Sequence, residues 1–156
     1  MKDLIIVLVS TFIASLFFGL SLSAPKRSLF VASMFGLIGY FVYLVVNKNT
    51  GNEYSAAFLG TLAACFPAEI FARLIKTPAT VIIFISVIPL VPGLMLYQTM
   101  LCFAQNDYAK GSYQIIRTLI YSGAMAIAIT ISTMLGKQLL APLFKRINDK
   151  KLRNKG

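Results

Sequence analysis

From Ala79 to Ala104 the chain carries no charged residue, yet the middle of this run reads Ile88-Pro89-Leu90-Val91-Pro92-Gly93. An uncharged run of this length is long enough to cross a membrane. Two prolines three apart, with a glycine behind them, do not fit a regular helix. Proline lacks a backbone N–H, so a continuous helix would leave the carbonyls of Ile85 and Ile88 without donors, and lipid offers no substitute. Irregular backbone at membrane depth is confined to places where it is buried in protein or lines a wet cavity, and interrupted helices of this kind commonly carry transporter binding sites. A proline kink repaired by neighbouring helices is the competing reading.

The rest of the chain has the same character. It is 58% hydrophobic and 13% charged, about half the charge of an ordinary soluble domain, and its mean hydropathy is +0.78. Leu4 to Leu22, Ser28 to Val46, Tyr54 to about Ile75 and Ile115 to Leu135 are further apolar stretches of spanning length. The first could be a secretory signal. Its length, the apolar segments that follow and Pro25 directly after Ala24 favour a retained helix. Gly36 and Gly39 in the second stretch are suited to close helix packing. Asn47 to Glu53 reads as a polar turn, and Thr77-Pro78 as an N-cap and first helical residue. A polar loop is expected to reach Ser112 before the last span. The fold class is therefore an all-α integral membrane protein of about five transmembrane helices, the fourth broken at Pro89 to Gly93. Residues 1–136 form a single transmembrane domain in this reading, and 137–156 a basic amphipathic cytoplasmic tail.

Net charge is +10 and concentrates towards the C-terminus. The basic residues cap apolar stretches and do not form a face with interleaved aromatics, which argues against nucleic acid as a partner. With five spans and the tail in the cytoplasm, Lys26, Arg27, Arg73, Lys76, Lys137 and the six Lys and Arg residues beyond it lie inside, against Lys2, Lys48, Lys110 and Arg117 outside. That distribution is the positive-inside pattern of a multi-pass plasma-membrane protein with its N-terminus out and C-terminus in. Tyr43, Tyr54, Tyr108 and Tyr113 then fall at the outer boundary, where interfacial tyrosines are expected. The tail basics suit anionic membrane lipid. Histidine is absent, and Cys65 and Cys102 are isolated in apolar segments. No metal or cofactor is expected, and no nucleophile–base arrangement points to an enzyme.

Two constellations are candidates for function. Glu69 and Arg73, four apart in the third span, share a helix face. An ionisable residue inside a span usually faces protein or water, so this pair could couple ions to transport or could be a structural salt bridge near the interface. At the break, the carbonyls of Ile85 and Ile88 suit an ammonium group. The N–H groups from Gly93 onward suit a carboxylate. Pro89, Pro92 and Tyr97 complete the expected substrate contacts. Hydroxyls at Ser10, Thr11, Ser15, Thr130, Ser132 and Thr133 either line a polar path or bond the preceding helical turn.

The run from Ala68-Glu69-Ile70 through Arg73 and Thr77-Pro78 to Val81, followed by Ile88-Pro89-Leu90-Val91-Pro92-Gly93 and Tyr97-Gln98-Thr99-Met100, resembles the small subunit of the threonine/serine exporter family. The match covers roughly Cys65 to Met100, and the rest agrees in its pattern of spans. The resemblance implies export of threonine and serine from the cytoplasm, driven by protons, with a larger membrane subunit as partner and assembly into an oligomer. Related two-chain systems handle small dicarboxylates. A structural or assembly subunit without substrate contact is the reading from a different class.

Overall fold

Polar residues at the ends of the apolar runs decide where each helix starts and stops. In the computed structural model, which describes residues 2–75 and 77–153, α1 covers Lys2–Ser21 and α2 covers Lys26–Thr50. Gly51 ends α2 in the left-handed region at φ 63°, its N–H on the Asn47 carbonyl at 2.9 Å, a conformation that glycine adopts without strain. Asn52 then caps α3, Glu53–Leu74, its Oδ1 accepting the N–H of Tyr54 at 3.0 Å. α4 is Ala79–Val87, a 3-10 turn covers Ile88–Leu90, α5 is Gly93–Ala104 and α6 is Tyr108–Arg153.

Several boundaries differ from the sequence reading; α2 runs on to Thr50, into the polar turn expected from Asn47 to Glu53. Pro78 is itself the N-cap of α4, with ψ 122° and no side-chain cap, so Ala79 opens the helix and Thr77 lies outside it. α6 begins at Tyr108, well before Ser112. Asp107 stops the fray there, its carboxylate accepting the Lys110 N–H at 3.2 Å and its carbonyl the Gly111 N–H at 2.9 Å. α6 also runs without interruption past residue 137 to Arg153, so the tail continues the helix. Lys76 and the last tail basic, Lys155, lie outside the described residues.

Packing rests on small side chains. On α3, Ala56, Gly60, Ala64, Ala68 and Ala72 recur every four residues and are buried, one continuous stripe on a helix. Gly39 of α2 meets it backbone to backbone: a Cβ built there would lie 2.6 Å from the Ala64 Cβ and 2.8 Å from the Gly60 carbonyl. Without a hydrophobic drive between helices in lipid, such close approach supplies the van der Waals attraction that holds them. α6 buries Thr118, Tyr121, Met125, Ala128 and Ser132, spaced to form one face.

Contacts between α3 and α6 fix the direction of the chain. Near their starts Arg117 pairs with Glu53, and farther along Gly136 lies against Glu69, so the two helices run parallel. α4 and α5 together must therefore cross the membrane once. They are bent by 58° at the break. With the four helices long and apolar enough to span, they make a five-span, multi-pass membrane protein. Large apolar side chains such as Phe17, Phe84, Leu119 and Ile127 are exposed, as lipid-facing positions require.

Candidate functional site

The break closes part of its own hydrogen-bond deficit. Val91 N–H donates to the Ile88 carbonyl at 3.2 Å and Gly93 N–H to the Val91 carbonyl at 2.7 Å. The Ile88 carbonyl is thus occupied, and so is the N–H of Gly93, unlike the free groups expected at both. A neighbour repairs one more acceptor: the buried Tyr121 hydroxyl of α6 donates to the Leu90 carbonyl at 3.2 Å. Behind the turn, Ser86 lies within hydrogen-bond reach of the Ile82 carbonyl at 2.8 Å and the Ala32 carbonyl of α2 at 3.0 Å. Pro89 packs against Gly36, where an added Cβ would sit 3.0 Å from the Ser15 hydroxyl and 3.1 Å from the Ser86 carbonyl. At the start of α5 no side chain caps the helix, and the first N–H past Gly93 to bond backward is that of Leu96, to the Pro92 carbonyl at 3.1 Å.

In front of the turn lies a cavity of about 370 Å³, lined by Pro89 to Met95 from the break and by Tyr40, Tyr43, Glu53, Gln98, Gln114, Arg117 and Tyr121. Its size is at the small end of the ~300–1,000 Å³ typical of ligand pockets. The structure thus brings Pro89, Pro92 and Gly93 together on one wall. A Cβ at Gly93 would meet nothing within 4 Å. Ile85 is fully buried and Ile88 half-buried, and neither lines the cavity. Tyr97 is 63% exposed and is not among the residues that line the cavity.

The opposite wall carries groups the sequence reading did not assign to the site. Arg117 pairs with Glu53 between α6 and α3, with side chains 34% and 25% exposed. Its guanidinium also reaches Gln114 at 3.4 Å, Gln114 donates to Gln98 of α5 at 3.1 Å, and the Tyr113 ring lies 5.8 Å from the guanidinium carbon. Tyr43 packs between Tyr40 and Tyr121, at centroid distances of 5.7 and 6.5 Å. The signal for this wall was the spacing of Gln114, Arg117 and Tyr121, three and four apart on one face of a span. Tyr108 and Tyr113 are exposed, as interfacial residues are.

Glu69 and Arg73 lie elsewhere. Nε and Nη2 of Arg73 donate to Glu69 Oε1 at 2.9 and 2.7 Å, with Glu69 2% and Arg73 30% exposed. Gly136 makes room for the glutamate, since a Cβ there would fall 2.3 Å from its Cγ. From Arg117 to Gly136 is about 28 Å along α6 at ~1.5 Å per residue, close to the ~30 Å of a hydrocarbon core. The two ion pairs therefore mark opposite ends of the α3–α6 seam. Of the hydroxyls, Thr11, Thr130 and Thr133 bond the preceding turn, whereas the buried hydroxyls of Ser15, Thr61 and Ser132 have no partner among the described residues.

Residues 7–135 match the family model described as Threonine/Serine exporter, ThrE. A probable threonine/serine exporter of Mycobacterium tuberculosis (strain ATCC 25618 / H37Rv) is 25% identical over 120 residues, covering 77% of this chain and 22% of that protein. The chain thus spans less than a quarter of that relative's length. No solved structure matches the chain.

Proposed function

Because the chain belongs to the threonine/serine exporter family, we propose that it is a subunit of a secondary transporter that moves threonine or serine out of the cytoplasm, coupled to protons and assembled with a larger membrane subunit. The observation that carries this reading is the cavity at the broken fourth span. It is of ligand size and combines uncapped helix N–H groups with one acidic and one basic side chain. An amino acid carries both charges. A small dicarboxylate fits less well, because one of its carboxylates would face Glu53. The partner is what the resemblance to the family's small subunit implies. Plasma-membrane location, an N-terminus outside, and a cytoplasmic tail from residue 137 whose basic residues suit anionic lipid are the reading that the charge distribution supports. In that orientation the cavity faces outward and the Glu69–Arg73 pair lies near the cytoplasm, where it serves coupling.

Gly93→Val tests the placement of the substrate. An added Cβ meets no protein atom within 4 Å, and Gly93 lines the cavity. Threonine export from peptide-loaded cells should be abolished while membrane abundance stays near that of the wild type. Normal export with unchanged apparent affinity would return the break to a packed kink.

A further inference from the structure

The Glu53–Arg117 pair stands out because it ties α3 to α6 at a cavity wall and not within the packed seam. Partly exposed ion pairs of this kind contribute little to stability. This one is also linked to the half-helix behind the break, through Arg117 to Gln114 and Gln114 to Gln98. Among the described residues α5 packs against α6 alone.

We propose that Glu53 and Arg117 are the charge-reading residues of the cavity, paired with each other here and drawn apart by a ligand bearing one ammonium and one carboxylate. The planar fork of Arg117 matches a carboxylate in two-point geometry, and Glu53 accepts from an ammonium. A zwitterion therefore replaces each lost partner with a group of the same sign. A ligand with only one of the two charges leaves either Glu53 or Arg117 unpaired in a confined site, which penalises it. The first-turn N–H groups of α5, on the facing wall of the same cavity, add to the carboxylate subsite. Because Gln114 hands Arg117 on to Gln98, separating the pair also changes what holds α5, so occupancy of the site is passed to the movable half of the broken span. The inference rests on the reading of the cavity as the substrate site.

The test uses inside-out vesicles from cells that express the chain with its native partners. It follows uptake of labelled threonine against two competitors, the deaminated hydroxy acid and the decarboxylated amine. Wild-type uptake should be at least tenfold less sensitive to either competitor than to unlabelled serine. Glu53→Gln should make the hydroxy acid at least tenfold more effective relative to serine. The exchange variant, Glu53→Arg with Arg117→Glu, restores an ion pair with its charges reversed, so wild-type abundance with at least tenfold lower uptake is expected. Wild-type uptake by the exchange variant, or an unaltered competition profile in Glu53→Gln, would reduce the pair to a structural clasp. The two readings separate cleanly. Normal transport by Gly93→Val removes the cavity as the substrate site. Failure of Gly93→Val alongside normal transport by the exchange variant removes only the charge reading.

Discussion

Gly93 and Gly136 show how differently two glycines in one membrane protein respond to an added methyl. At Gly93 the space is open, so a substitution there reports on the cavity. At Gly136 an alanine Cβ would overlap Glu69 at its Cγ and crowd its Cβ at 3.2 Å, atoms too close to the backbone to swing away. The side chain that has to yield holds a buried charge against Arg73. Gly136→Ala is therefore expected to destabilise the protein by ~1–3 kcal/mol, the usual cost of overpacking a tight contact, and to lower its unfolding temperature in detergent. An unchanged melting curve would contradict this packing. Glu69→Gln separates the roles of the carboxylate, because the amide keeps shape and hydrogen bonding while the charge goes. With Glu69 in coupling, pH-driven export falls while abundance holds. Unchanged export across a pH series would assign the pair to structure alone.

At the scale of elements, Pro89 is what divides α4 from α5. Replacing it with alanine restores a donor for the Ile85 carbonyl and permits a straighter helix, so Pro89→Ala should keep its place in the membrane but lose part of its export. The loss is expected to be smaller than for Gly93→Val, because Pro92 still interrupts the backbone. Export equal to that of the wild type would show that the bend is dispensable. Local chemistry made this element legible in the sequence: two prolines and a glycine inside an uncharged run state where a helix must break. The Glu69–Arg73 pair was legible for the same reason, being one helical turn apart. The other wall was not, because Glu53 and Arg117 meet across sixty-four residues, and no periodicity within either helix reports which residue of a distant helix stands opposite. The state of the Ile88 carbonyl also escaped, since an α-helical bond count does not anticipate the 3-10 turn that satisfies it.

The whole molecule distributes its packing unevenly. α3 packs its stripe of small residues against both α2 and α6 and forms the tight centre, α1 lies against α2 and the break, and α5 leans on α6 alone among the described residues. The cavity in front of the break borrows walls from α2, α3, α5 and α6, while Tyr97 and Met100 of α5 are exposed outside it. Transporters that work by alternating access rock one bundle against another around a fixed site, commonly with a second repeat supplying the opposing bundle. No internal repeat is present in this sequence, so nothing within these five spans can serve as the second bundle, and the half-helix that would have to move has only one neighbour to move against. Expressed by itself, the chain should therefore reach the membrane and export no threonine above background from peptide-loaded cells. Co-expression with a larger family subunit should restore export, and Gly93→Val in this chain should abolish the restored activity. Full export by this chain alone would overturn the two-subunit reading and require that copies of the chain supply both bundles.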